Sequence, residues 1–323
     1  DTTGSNLQFL IAQQHELFPE TFARDTTGLN LFGIHDVALR AQEARKPITC
    51  ELVQAYQRES VNIHSRGILE VVSTPYDLDV VGGMEHVVSF LQNVIAAIRE
   101  GDLKRVPRGL LFLGPPGTGK TMIAQLLARY SEMAFVRLKS SREGMGLDYG
   151  APGVEERVYE RNLTFALNFI RALTPVIVFM DEIDRAGVSR GGMDAERHDS
   201  ALPFDLLNAM SDSSLHGKVL WIGASNRPDL MDVAFRRRGV FDDKLLFLPP
   251  TEAERADVLA KLFKKHQIAF EDIDFKKIAT DQYTKALSSG DLEIIVQRSY
   301  GIARRNNHKV VTESDLIQAT SDF

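Results

Sequence analysis

Cysteine is all but absent from this sequence: Cys50 stands alone among 323 residues. That excludes a disulfide framework and a cysteine-built zinc site, and it makes a reducing, cytoplasmic setting the expected one. Long apolar runs are missing too. The longest, such as Gly109–Leu113 and Pro175–Met180, fall far short of the ~20 residues a helix needs to cross a bilayer, so no membrane span is expected. The opening residues, DTTGSNLQFL, lack a basic stretch followed by a long apolar segment, and no signal peptide is expected. Nor is there an excess of positive charge: the formal net charge is −6 and the pI about 5.8. Proteins that grip nucleic acid by neutralising phosphates are usually basic, so nucleic acid is not the expected partner.

What is present is ordinary globular material, 44% hydrophobic and 25% charged, enough for two or three modest domains. Residues 1–70 read as a helical module. Leu29, Leu31, Ile34, Val37, Ala38 and Ala41 recur at helical spacing, and Leu52, Val53 and Tyr56 begin a second stripe. Residues 71–249 alternate helical stretches with strand-length apolar runs at Gly109–Leu113, Ala134–Leu138, Pro175–Met180, Lys218–Gly223 and Lys244–Leu248. This alternation predicts an α/β fold, a parallel sheet with helices on both faces. After Pro249-Pro250 the pattern is helical again through 250–323, and Thr312-Glu313-Ser314-Asp315 has the form of a capping box. An internal echo links the two helical ends: Gly28–Gln42 followed by Ile48-Thr49 and Leu52 parallels Gly290–Ala303 followed by Val311-Thr312 and Leu316.

Three segments carry chemistry. Gly114–Thr121, GPPGTGKT, fits G-x-x-x-x-G-K-[ST] between an apolar run and a helical pattern. Gly114, Gly117 and Gly119 let the backbone turn so that N–H groups point at phosphates, and the following helix adds its positive end. Lys120 reaches the β- and γ-phosphates, and the Thr121 hydroxyl coordinates Mg²⁺. Val176–Met180 then delivers Asp181 and Glu182 to a strand end, where ligands bind in open α/β sheets. Asp181 suits an indirect Mg²⁺ contact and Glu182 suits polarising a water. Asn226, before Arg227-Pro228, reads on its own as a turn former; its carboxamide could also hold a water or the γ-phosphate.

Taken together, GPPGTGKT, FMDEID and GASNRPDLMDVAFRRRGVFDDKLLF resemble the AAA clade of AAA+ ATPases over roughly residues 75–323. The resemblance implies a P-loop NTPase sheet followed by a helical lid, ATP and Mg²⁺ as cofactors, and a homo-oligomeric ring, commonly a hexamer. By this resemblance the turn in Asp79-Val-Val-Gly82-Gly83 contacts adenine through Val81 and Gly82. The phosphate loop contributes Pro116, Gly117, Thr118, Gly119, Lys120, Thr121 and Met122, and Gly290 opens the lid helix. Asn226 becomes sensor 1, and Arg237 takes the place of an arginine finger serving a neighbouring subunit. Tyr56–Glu70 leading into Asp79 resembles the chloroplast and cyanobacterial Ycf-type AAA proteins, in which a degenerate AAA-like module precedes the active one. Residues 1–70 would then be the lid of such a module.

The sequence departs from that pattern in three respects, one of which, the absence of an obvious lid arginine acting as sensor 2, is general in the AAA clade. Val240 stands where a second finger arginine is expected, flanked upstream by Arg236 and Arg238. Glu155-Glu156-Arg157 occupies the position of the aromatic pore loop of substrate-threading relatives, behind a glycine-rich stretch, Gly144–Gly153, that includes Tyr149. The basic runs Lys261–His266 and Arg298–Lys309 read as solvated helix faces rather than partner patches. His198 reads as part of a charged loop and Cys50 as a packing residue. The expected function is Mg²⁺-dependent ATP hydrolysis coupled to remodelling of a protein partner; the alternative is an ATP-gated assembly or scaffold protein with slow turnover.

Overall fold

The computed structural model describes residues 31–43, 52, 56, 59, 61, 65, 67–72, 76–139, 154–184, 204–231, 235 and 239–323. Cys50, Tyr149, His198 and Arg236–Arg238, as well as most of both N-terminal helical stripes, lie outside the described residues, as do the side chains of Glu155, Glu156 and Arg157. In chain order the elements are α1 (Leu31–Glu43), β1 (Leu69–Val71), α2 (Glu85–Glu100), β2 (Gly109–Leu113), α3 (Lys120–Ser131), β3 (Ala134–Leu138), α4 (Val154–Ala172), β4 (Val176–Met180), α5 (Phe204–Ser211), β5 (Val219–Ser225) and β6 (Asp243–Leu246). Five more helices follow: α6 (Glu252–Lys265), α7 (Phe275–Ile278), α8 (Asp281–Thr284), α9 (Ser289–Arg305) and α10 (Glu313–Ser321).

The sheet runs β1-β3-β4-β5-β2-β6, with every pair parallel except β1 with β3. This is the expected α/β P-loop NTPase architecture, with an antiparallel edge that three residues of sequence, LEV, gave no means of anticipating. Alternate strand residues feed two cores. Leu110, Phe112, Ile177, Phe179, Leu220 and Ile222 face α2 and α3. Leu111, Val136, Val176, Val178, Met180 and Trp221 face α4 and α5. Burial on both faces is why β4 and β5 are continuous apolar runs rather than alternating ones. β5 extends to Ser225, two residues beyond the predicted run, and β6 covers Asp243–Leu246 instead of 244–248. Phe247 nevertheless donates its N–H to Leu113 O (2.7 Å) and is fully buried. The register ends β2, β4 and β5 together: Leu113 lies opposite Ser225 and Met180 opposite Gly223. The next residues along the chain, Gly114, Asp181 and Asn226, therefore emerge at one edge.

The C-terminal helices have their own core, in which Phe263 meets Phe270 and Phe275 at ring separations of 5.1 and 5.6 Å. Complete capping boxes open α6 (Thr251, Glu254), α9 (Ser288, Asp291) and α10 (Thr312, Asp315). Asp315 is fully buried and accepts from His308 Nδ1 (2.8 Å), Asn306 Nδ2 (3.1 Å), and the Thr312 amide (3.0 Å) and hydroxyl (2.8 Å). Burial by itself would push this carboxyl up; the hydrogen bonds outweigh it and pull the pKa from 3.8 down to about 2. A depressed acid contributes stability above its unfolded value and loses it as the pH falls through its folded value, so the window here runs from about pH 4 to about pH 2. The contribution at neutral pH is on the order of 2 kcal/mol. Thermal melts of wild type and Asp315→Asn should differ at about pH 5 and converge as the pH approaches about 2. A gap that stays constant across that window would show that shape, not charge, holds α10.

Candidate nucleotide-binding site

The loop after β2 is wound around a single cation. Lys120 Nζ donates to the carbonyls of Gly114 and Pro115, both at 2.8 Å, and Thr118 Oγ1 donates to Pro115 O at 2.9 Å. Gly119 caps α3 in the left-handed conformation and brings no side chain to the first N–H groups of the helix. A helix start without a side-chain cap is a ready anion site. Lys120 is only 7% exposed. Burial lowers its pKa, while the carboxylates of Asp181 and Asp184 act in the opposite direction. Thr121 is exposed at the mouth of the loop and Pro116 lies on its outer side.

Opposite the loop stand the ends of β4 and β5. Asp181 Oδ1 accepts the Glu182 N–H (3.0 Å), and Glu182 has φ of 49°. A left-handed backbone at a non-glycine residue is costly and concentrates at functional sites. Asp184, 5% exposed, accepts the Asn226 N–H (3.3 Å). Asn226 Oδ1 is buried and has no hydrogen-bond partner among the described residues. An orphaned buried amide oxygen is expensive, and a carboxamide can turn either end toward an incoming group.

A cleft of about 210 Å³ lies between this loop, the turn before α2, and helices α6 and α9. Gly117, Gly119 and Met122 line it from the loop side, Gly82 and Met84 from the turn, and Val258 and Leu262 from α6. Gly82 is the one residue type the turn admits there: a Cβ would lie 2.6 Å from Val258 Cα and 2.8 Å from its N. Gly290 closes the other side. Its N–H donates to Gly117 O at 2.8 Å, and a Cβ on it would lie 3.0 Å from Gly117 Cα. Val81, by contrast, is buried, gives its N–H to Leu78 O (3.1 Å) and its carbonyl to Lys261 Nζ (2.7 Å). Of the two residues assigned to adenine, Gly82 is thus the one on the cleft wall. Arg237 lies outside the described residues.

Four site residues escaped sequence reasoning. Asp184 is the third acid of FMDEID and was legible as such. Lys261, Lys265 and Glu293 sit in amphipathic helices, where charges read as solvated. Lys261 instead ties α6 to the turn, helped by the Gly83 N–H donated to Asp257 (3.1 Å) and the Met84 N–H donated to Glu254 (3.4 Å). Lys265 and Glu293 line the cleft itself.

No group of three His, Cys, Asp or Glu able to hold a metal occurs among the described residues. The oxygen donors at the loop nevertheless fit Mg²⁺, which keeps several waters and binds through one or two protein oxygens plus nucleotide phosphates. The donors here would be the Thr121 hydroxyl and the Asp181 carboxylate.

A parallel sheet with a glycine-rich loop, a buried lysine and two acids at neighbouring strand ends defines a P-loop nucleoside triphosphatase. The family follows from comparison. Residues 110–248 match the ATPase family associated with various cellular activities (AAA), and residues 8–62 match the AAA+ chaperone second helical domain. The chain belongs to the AAA+ ATPase family. It is 30% identical over 264 residues to the proteasome-activating nucleotidase of Methanocella arvoryzae, covering 78% of this chain and 60% of that one. It is 33% identical over 238 residues to the ATP-dependent zinc metalloprotease FtsH of Syntrophotalea carbinolica, covering 72% and 34%. Against the 26S proteasome regulatory subunit 8 homolog B of Arabidopsis thaliana it is 30% identical over 256 residues, covering 75% and 58%. The chain thus spans between a third and three fifths of the length of these relatives. No helix among the described residues is long and apolar enough to cross a membrane.

Proposed function

We propose that the chain hydrolyses ATP with Mg²⁺ as one subunit of a homo-oligomeric ring, a hexamer, and couples turnover to remodelling a protein partner. The observation that carries this reading is the convergence at one sheet edge of buried Lys120, the Asp181–Glu182 pair and the orphaned Asn226 carboxamide. In this scheme Lys120 binds the β- and γ-phosphates, Thr121 and Asp181 hold Mg²⁺, and Glu182 takes a proton from the attacking water. Asn226 positions that water or the γ-phosphate, and Arg237 stabilises charge on a neighbour's nucleotide. The base rests between Gly82 and the lid, with Val81 supporting the turn. Protein partners are favoured by the names of the relatives, which include proteasome subunits and a protease. Residues 1–70 we read as the lid of a second, degenerate AAA-like module of the Ycf type. The match of residues 8–62 to a chaperone helical domain supports that assignment. The single cysteine fits a cytoplasmic site of action.

One observation favours the second reading, an ATP-gated assembly with slow turnover. Val240, in the place of the second finger arginine, is 8% exposed and packed in the core with Phe235 and Phe241. Sizing the protein with ATP and with ADP, alongside phosphate release and unfolding of a casein-like substrate, tests both readings. Expected are an ATP-dependent ring, Mg²⁺-dependent turnover and little unfolding, because Glu155-Glu156-Arg157 offers charge where an extended chain needs an aromatic grip. A monomer in ATP removes the ring. A ring without turnover establishes the scaffold reading. Unfolding that is lost in Tyr149→Ala would locate a gripping pore loop at Tyr149.

A further inference from the structure

The cleft has a polar end that none of the motifs accounts for. Glu293 Oε1 accepts from Lys265 Nζ (2.7 Å) and from His266 Nε2 (2.7 Å). Lys265, whose side chain is 11% exposed, also lies 4.8 Å above the Tyr76 ring. The ammonium is therefore committed to Glu293 and the ring, and the carboxylate is fixed in place by two donors on one oxygen. Glu293 Oε2 has no partner among the described residues. Both Lys265 and Glu293 line the cleft. Burial raises the Glu293 pKa, but Lys265 and His266 outweigh it and keep the group ionised.

Position along α9 says which part of a nucleotide this carboxylate meets. Gly290 touches the phosphate loop at Gly117. Glu293 lies three residues further on, about 4.5 Å along the helix axis and away from the phosphates. Between the two ends the walls are Val80, Gly82, Val258 and Leu262, an apolar slot suited to a planar base. An anionic acceptor at the far end of such a slot matches the exocyclic amino group of adenine. It opposes guanine or hypoxanthine, which carry an acceptor oxygen at the same ring position. A site built to accept a hydrogen bond rejects the analogue that cannot donate one.

We propose that Glu293, positioned by Lys265 and His266, is the residue that selects adenine, accepting a hydrogen bond from the 6-amino group through Oε2. The proposal rests on the ATP-binding reading above. Its test is a set of dissociation constants for ATP, ITP, the 6-unsubstituted purine riboside triphosphate and 2′-deoxy-ATP, measured by competition with a fluorescent adenine nucleotide. Wild type, Glu293→Ala, Glu293→Gln and Lys265→Met are compared, with thermal melts to verify folding. Wild type should bind ATP about tenfold more tightly than purine riboside triphosphate, the scale of one hydrogen bond to a charged group. ITP should be weaker still. In Glu293→Ala the difference between ATP and the purine riboside analogue should vanish, and in Lys265→Met, where the carboxylate is no longer fixed, it should shrink. Glu293→Gln, whose side-chain oxygen is neutral, should fall between wild type and Ala. An unchanged ATP preference in a folded Glu293→Ala overturns the proposal. So does a preference for ATP over 2′-deoxy-ATP that only Glu293→Ala removes, since the carboxylate would then be reading the ribose. Failure of wild type to bind any of these nucleotides would instead count against the ATP-binding reading.

Discussion

Lys120→Ala should abolish ATP binding, whereas Glu182→Gln should bind ATP like wild type and lose hydrolysis. The two residues sit at the same sheet edge but do different work. Lys120 is the cation within the phosphate loop, held by two carbonyls and facing Asp181 and Asp184. Truncating it removes the charge that meets the phosphates and leaves two carboxylates unopposed beside a polyanion. Each lost contact with a charged group costs roughly 1.5–3 kcal/mol, so a loss of roughly a hundredfold or more in affinity is expected.

Glu182 follows Asp181 at the end of β4. Its carboxylate is outside the phosphate loop, and its amide is bonded to Asp181. Glutamine keeps the size and the left-handed backbone but cannot take a proton, and general-base removal typically costs about 10²–10⁴ in rate. Nucleotide titration and phosphate release on the same preparations separate the two effects. Equal loss of binding in both variants would mean that Glu182 belongs to the binding cradle, and its place as base would pass to another acid, Asp184 first.

Much of this site was legible because its chemistry demands rare residue types in fixed order. GPPGTGKT has few other uses, and the apolar VIVFM followed by two acids, ambiguous by itself, reads as a buried strand ending in a polar site once it follows such a loop by about 60 residues. The capping grammar was equally open to view: Thr251–Glu254 and Ser288–Asp291 follow the same rule as Thr312–Asp315. The lid's share of the site was not legible. Lys261, Lys265 and Glu293 are charges on amphipathic helices, and a charge on a helix reads as solvated until tertiary packing turns that face toward a partner. Lys261–His266 looked like a basic surface run; the fold sends Lys261 to Val81 O and Lys265 to Glu293 instead. Val240 was visible as a departure, but only its burial in the core that also holds Phe235 and Phe241, whose rings lie tilted at 5.7 Å, shows that the core has taken that site. β1 was illegible for another reason: three residues give too short an alternation to register, and its pairing with β3 is set by distant chain.

That burial of Val240 makes Arg237→Ala the other variant with a large expected effect. Asp232–Asp242 follows β5 and precedes β6, the edge strand beyond β2. By the AAA resemblance, an arginine in this segment is expected to serve the nucleotide of another subunit. Its planar fork matches phosphate oxygens, and a finger arginine can contribute about 10³–10⁵ in rate. By the same resemblance two arginines would share this work; Val240 is apolar and buried, so the stabilisation is expected to fall on Arg237. Arg237→Ala should bind ATP normally and turn it over at least about a hundredfold more slowly. Mixing distinguishes action in trans from action in cis. Lys120→Ala subunits bind no nucleotide but keep their finger; Arg237→Ala subunits bind nucleotide but have none. Co-assembled, they form interfaces in which an intact finger faces a loaded phosphate loop, and phosphate release should rise above that of either variant alone. Co-assembly without any gain would place Arg237 outside the neighbouring site. Wild-type turnover by Arg237→Ala on its own would shift the role to Arg236 or Arg238, the only other guanidinium groups between Phe235 and Val240.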